Sequence, residues 1–291
     1  MGRGSETRGA VARRATPQAL VRETREELAA AGCESPQVDA ELLVAHALGL
    51  TRSELSALPC RVLNDGELDA IRRLVERRVQ REPLQHILGE WGFRGLVLEV
   101  DRRALIPRPE TESVVDRCLA LLEGSERPRV LDVGTGSGAI ALAIADEHRG
   151  ARVTGIDLSR DALELARENE ASTGFDVELR EHDLYEGLPA GPWDLVVSNP
   201  PYVSPSERDS LQPEVRDWEP PLALYGVDAG AVIARGALDV LREGGALVLE
   251  VGDGQAEATA ALLGELGYRD VRVTLDLSGR ERVVEGRRPL G

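Results

Sequence analysis

The run Leu131-Asp132-Val133-Gly134-Thr135-Gly136-Ser137-Gly138 constrains this chain more than any other stretch. An apolar segment (130–133) enters alternating glycines, and the segment 139–147 that follows has the character of a helix. Glycines in such a turn let the backbone approach a ligand closely, and the helix behind them offers unpaired N–H groups. The same alternation then recurs. An apolar strand at 152–156 precedes a helix at 160–171, and further strands are expected at 176–180, 195–198 and 246–251. A closing pair is expected near 271–275 and 282–285. Repeated βα units predict an α/β fold, a doubly wound and mainly parallel sheet with an antiparallel closing strand.

The N-terminal third reads differently. Residues 17–82 form a small helical domain by spacing: Leu20, Val21, Thr24 and Leu28 recur every three or four positions, as do Leu42, Leu43, His46 and Ala47. That spacing makes His46 a partly buried helix residue rather than a ligand. Pro17 and Pro36 suit first helical turns, and Asn64 suits an N-cap for 67–80. Glycines at 89, 92 and 95 and the alternating run 96–100 predict a hairpin within a connector spanning 83–108. The α/β domain is then expected over 109–291. Residues 1–16, with four Arg and one Glu and no apolar period, read as a disordered tail.

Composition removes several classes of function. The balance of 35 basic to 51 acidic residues gives a net charge of −16, against a protein held to nucleic acid chiefly by phosphate contacts. No apolar run approaches the roughly 20 residues that span a bilayer. Cys33, Cys60 and Cys118 stand far apart without a CxxC pair, so neither a metal site nor a disulfide framework is expected, and a reduced cytoplasmic chain is the default.

The site residues follow from the strand ends. Asp157 lies 21 residues beyond Gly136, where a carboxylate can accept both hydroxyls of a ribose. Gly134-x-Gly136-x-x-Ala139 also fits a loose dinucleotide pattern, so the glycines alone leave the cofactor open. Asp132 would crowd a pyrophosphate but can serve the ammonium of a methionine moiety through water or backbone, which favours S-adenosylmethionine. Asp183 and Leu184 are placed to flank adenine. After the apolar strand 195–198 comes Asn199-Pro200-Pro201-Tyr202. Prolines fix φ and remove donors, so the Asn199 Oδ1 and the Pro200 carbonyl can both accept from one planar NH₂ group while Tyr202 stacks on its face.

These residues resemble the class I S-adenosylmethionine-dependent methyltransferases that act on a planar amino or amide nitrogen. The segment Ile106-Pro107-Arg108-Pro109-Glu110-Thr111-Glu112 is similar, more specifically, to the protein-(glutamine-N5) methyltransferases of peptide chain release factors. So are Glu82-Pro83-Leu84-Gln85, Leu88-Gly89-Glu90 and Glu219-Pro220-Pro221-Leu222-Ala223-Leu224. The similarity runs from about Pro17 to Arg287; the arginine-rich start has no counterpart, and Leu184 stands where an aromatic neighbour of adenine can occur.

The resemblance implies methyl transfer to the glutamine of the release factors' Gly-Gly-Gln loop, with S-adenosylhomocysteine as product and the helical domain recognising the protein substrate. It implies Asn199, Pro200 and Tyr202 as catalytic residues. The cofactor would be held by Asp132, Gly134, Thr135, Gly136, Ser137, Gly138, Asp157, Asp183, Leu184 and Asn199. Asn199, Pro200, Pro201, Tyr202, Arg108 and Glu110 would meet the substrate. The tetrapeptide is shared with enzymes acting on exocyclic amines of nucleic-acid bases, so that chemistry and a ribosomal-protein glutamine stand as alternatives. A binding module that keeps only the fold is a third.

Overall fold

The computed structural model describes residues 15–58, 61–226 and 228–291. The tail expected over 1–16 lies outside them except for its last two residues. Of those, Thr16 accepts from the Ala19 N–H at the head of helix Pro17–Ala30 and so belongs to that helix. The chain divides into two compact units between Leu88 and Gly89.

The first unit is helical throughout: Pro17–Ala30, Pro36–Ala47, Arg52–Ala57, Asp65–Val79 and Leu84–Leu88. Thr51 and Asn64 each cap a helix and receive a glutamate side chain in return, Glu54 and Glu67, which satisfies two otherwise orphaned donors per helix start. Leu28, Leu43, Val44, Ile71, Leu84 and Ile87 meet in its core. The expected stripe on the second helix is displaced by one position. Asp39, Ala40, Leu43 and Val44 are buried and His46 is exposed. The reason is Asp39, a core-facing carboxylate that accepts from buried Arg78 at 2.8 Å and hides the apolar period. The segment expected to be a connector opens with the helix Leu84–Leu88, because Leu84 and Ile87 at i and i+3 both reach this core.

The second unit starts with a hairpin of β1 (Glu90–Phe93) and β2 (Leu96–Glu99). The seven strands that follow are β3 (Arg129–Val133), β4 (Arg152–Asp157), β5 (Val177–Glu181), β6 (Trp193–Ser198), β7 (Leu241–Glu250), β8 (Arg269–Leu275) and β9 (Glu281–Arg287). They form one sheet in the order β5-β4-β3-β6-β7-β9-β8. The first five run parallel and β9 runs antiparallel to both neighbours, as the sequence predicts.

Both faces are covered, so consecutive residues of one strand feed opposite cores. Leu195 and Val197 join Ile140 and Ile144 on one side, and Val196 joins Ile233 and Ala237 on the other. That is why these strands read as unbroken apolar runs. The chain winds outward from β3 to β5 on one side and, from β6, on the other. The strand order therefore reverses between β3 and β6, and a crevice opens beyond the carboxyl ends of these two strands.

Candidate active site

The register of β3 on β6 places Val133 opposite Ser198. The Ser198 hydroxyl donates to the Val133 carbonyl at 2.6 Å, so the glycine turn and Asn199 leave the sheet side by side. The N–H groups of Gly134 and Thr135 both donate to the Ile156 carbonyl, at 2.8 and 2.9 Å, which folds the turn over the end of β4. Gly136 adopts φ +56°, a conformation that glycine takes without strain, and its N–H then meets Asp157 Oδ2 at 2.9 Å. The Ser159 N–H meets the other oxygen at the same distance. Asp157 is fixed by backbone donors, and burial pushes its carboxyl above the usual carboxylate range.

Asp132 lies one layer behind this wall. It is fully buried, accepts from the Thr135 hydroxyl at 2.7 Å, and its other oxygen has no partner among the described residues. Burial, with Asp157 nearby, pushes it up to about 7 against the pull of Thr135. The close approach of Thr135 depends on Gly155, the residue paired with Asp132 across β3 and β4. A Cβ there would stand 2.7 Å from the Thr135 hydroxyl oxygen. The buried Asn169 accepts from the Glu99 N–H and donates to the carbonyls of Glu99 and Ser137, tying the hairpin to the glycine turn.

On the other side stands Asn199. Its Nδ2 donates to the Thr111 hydroxyl at 3.4 Å, and that hydroxyl donates to Glu250 Oε2 at 2.7 Å. Glu250 ends β7 and is almost wholly buried. Burial, helped by Glu110, pushes it up to about 7, opposed by Thr111, Arg282 and Tyr202. The Tyr202 phenol is itself raised, first by burial and then by Glu250. Gln255 spans the corner, donating to the Tyr202 carbonyl and accepting from the Gly252 N–H, both at 3.1 Å.

One cavity gathers much of the expected set. Gly134, Thr135, Gly136, Ser137 and Asp157 line it, as do Asp183, Leu184, Asn199, Pro201 and Arg108. Asp183 caps the turn Leu184–Glu186 by accepting from the Tyr185 N–H. Arg108 spends a guanidinium N–H on buried Glu219, 2.6 Å away. It thus joins two of the segments singled out in the sequence, and its first role here is to brace the rim.

Asp132, Gly138 and Glu110 do not line this cavity. Pro200 and Tyr202 face a second one, which shares Pro201, Tyr225 and Gly226 with the first, so residues 200–202 run between the two. Sequence reading passes over Glu250, Gly155, Asn169 and Gln255. A signal existed for Glu250 alone: an acid ending an apolar run is what marked Asp132 and Asp157.

Comparison with known proteins converges on the same reading. The family described as "PrmC N-terminal domain" matches residues 19–89, and "Methyltransferase small domain" matches 116–213. The release factor glutamine methyltransferase of Deinococcus radiodurans is 45% identical over 94% of this chain and 98% of its own length. The Geobacter sulfurreducens protein of the same name is 42% identical, over 91% and 94%. Among solved structures, a methyltransferase from Pyrococcus furiosus superposes with TM-score 0.50 at 19% identity, over 77% of this chain and 99% of that one, a likeness of fold. With relatives this similar along nearly their entire lengths, the chain belongs to the release factor glutamine methyltransferase family.

Proposed function

We propose that this chain methylates the side-chain nitrogen, N5, of the glutamine in the Gly-Gly-Gln motif of class 1 peptide chain release factors. S-adenosylmethionine would be the donor and S-adenosylhomocysteine the product. The observation that carries the reading is Asn199. It lines the same cavity as the glycine turn and Asp157, and its Nδ2 is anchored inward on Thr111.

The cavity suits the proposed cofactor. Asp157 would supply a carboxylate for the ribose hydroxyls, Asp183 and Leu184 a polar and an apolar neighbour for adenine, and the turn 134–137 a close backbone approach; all of them line the one cavity. Asp132 would act through Thr135 rather than by contact. When bound, S-adenosylmethionine supplies an electrophilic methyl on a sulfonium.

The chain's own part is positioning. An amide nitrogen is a poor nucleophile because its lone pair is delocalised. Acceptance of its N–H groups by Asn199 Oδ1 and the Pro200 carbonyl raises electron density on nitrogen and aims it, and orientation of this kind lowers barriers by several kcal/mol. Tyr202 would cover the face of the amide from the side of the second cavity, where residues 200–202 run between the two, and the amide proton passes to solvent after transfer. We assign recognition of the protein substrate to the helical unit, and the activity to translation termination in the cytoplasm. No direct nucleic-acid contact is required, in keeping with the net charge of −16. Among the described residues no helix is long and apolar enough to cross a membrane.

The test is incubation with labelled methyl donor and, in separate reactions, release factor, ribosomal protein and DNA. Label on the release factor glutamine is expected. Label confined to either of the others overturns the substrate assignment, and no label on any of the three overturns the activity.

A further inference from the structure

Asn199 can hold a substrate amide only if its oxygen, not its nitrogen, faces the cavity, and the two ends of a carboxamide have nearly the same shape. Something must choose between them. The geometry points to Thr111 and Glu250 as the pair that fixes the polarity of the Asn199 amide, making both of them positioning residues for methyl transfer. This deepens the proposed reaction and rests on Asn199 being the group that receives the substrate amide.

A hydroxyl has one proton to give. The Thr111 hydroxyl stands 2.7 Å from Glu250 Oε2, and an ionised carboxylate only accepts, so the proton is committed there. What Thr111 turns toward Asn199 is then a lone pair, which selects Nδ2, found at 3.4 Å. The Asn199 oxygen is left pointing away from Thr111, with no donor among the described residues. Protonation of Glu250 removes the constraint. A carboxylic acid can donate to Thr111, whose own proton is then released toward Asn199 and selects the oxygen instead. The amide would turn over and present NH₂ to a substrate that also presents NH₂.

The charges around Glu250 come from every neighbouring element. Glu110, in the turn Pro109–Thr111, favours the neutral acid, whereas Arg282 on β9 and Tyr202 favour the anion. The Arg282 guanidinium is itself engaged, donating to Asp253 at 2.7 Å and to the Val251 carbonyl at 3.1 Å, with Asp276 at 3.6 Å from Nε. It is thus shared among several acceptors rather than paired with Glu250 alone.

The experiment compares full-length Thr111→Val, Thr111→Ser and Glu250→Gln with the parent, using release factor as substrate and saturating S-adenosylmethionine, from about pH 5 to about pH 9. Thr111→Val keeps shape and loses the hydroxyl. It is expected to lower kcat about tenfold, the kinetic equivalent of one ordinary neutral hydrogen bond that does not itself touch the substrate, with KM for the release factor and cofactor affinity within about twofold of the parent. Thr111→Ser should recover most of that loss. The parent kcat should rise with pH through about 7, where Glu250 ionises. Glu250→Gln should lack that rise. Asp132 titrates in the same range, so it is the loss of the limb in Glu250→Gln that assigns it.

Parent kcat in Thr111→Val, a Thr111→Ser as slow as Thr111→Val, or an unchanged acid limb in Glu250→Gln would each overturn the proposal. If Thr111→Val does not fold, the serine variant and the pH limb still decide. Asn199→Ala separates the two levels. If it is inactive while Thr111→Val is not slowed, only the polarity device fails; if it methylates at the parent rate, the reading of Asn199 itself fails.

Discussion

The two walls of the active-site cavity are built on one plan with different materials. Each has a hydroxyl at its surface and a buried carboxylate behind it: Thr135 on Asp132 in one wall, Thr111 on Glu250 in the other, both at 2.7 Å. Both carboxylates end or nearly end a buried parallel strand, and burial pushes both up to about 7. The difference lies in what stands in front. On the wall proposed for the cofactor it is backbone, the N–H groups of Gly136 and Ser159 held on Asp157. On the wall proposed for the acceptor it is the side-chain amide of Asn199, whose polarity must be chosen. Backbone N–H groups tied to both oxygens of one carboxylate tolerate changes behind them better than a side-chain amide, whose two ends exchange by rotation about one bond.

The largest effect should therefore appear at the acceptor wall. Asn199→Ala is expected to leave cofactor affinity nearly intact and lower turnover by about 10²-fold or more, the scale of losing one oriented catalytic hydrogen bond. Asn199→Asp keeps an acceptor oxygen but adds charge beside a sulfonium, so its rate should fall between those of alanine and the parent. Titration calorimetry with S-adenosylmethionine and single-turnover methylation of the release factor check both halves. Equal rates in all three proteins would remove the distinction between the walls.

Next comes Asp157→Ala, which strips the cofactor wall of its carboxylate. Cofactor binding should weaken by roughly 1.5–3 kcal/mol as charge-assisted hydrogen bonds to the ribose are lost. The loop should loosen too, since Gly136 and Ser159 lose their common acceptor. Unchanged affinity by calorimetry would take the ribose away from Asp157.

The same contrast decides what the sequence reveals. The cofactor wall is legible because its parts are consecutive: strand, glycines and helix lie within one run, and Asp157 ends the next strand. The antiparallel closing strand and the alternation of βα units were legible for the same reason, a local period. The acceptor wall brings together Thr111, Asn199 and Glu250, which lie 88 and 51 positions apart along the chain. No local pattern encodes that meeting. It arises because β6 and β7 are sheet neighbours in parallel register, Ser198 beside Leu249, so Asn199, the first residue past β6, comes level with Glu250, the last residue of β7. Gly155 was opaque for another reason: the lack of a side chain leaves no sign until the Thr135 hydroxyl is seen in the space it vacates. The stripe on helix Pro36–Ala47 was misplaced because a buried ion pair, Asp39 with Arg78, looks polar in sequence and behaves as core.

The smallest effect on turnover should come from Asp132→Asn, which tests the claim that a backbone wall is insulated. Asparagine keeps an oxygen for the Thr135 hydroxyl, so the turn should hold and kcat should stay within several-fold of the parent. Stability is where the change appears. Asp132 is raised from the ordinary carboxylate range to about 7 in the folded chain. The native state therefore binds its proton more tightly than the unfolded state does. In the parent, the contribution of Asp132 is fully present below about pH 4 and is lost as pH rises through about 7. The variant has no proton to lose. Relative to the parent, Asp132→Asn should therefore gain in Tm between about pH 5 and about pH 8, the gain growing with pH. A Tm difference that stays constant across this window would show that Asp132 is charged throughout, and that the resemblance between the two walls ends at their hydroxyls.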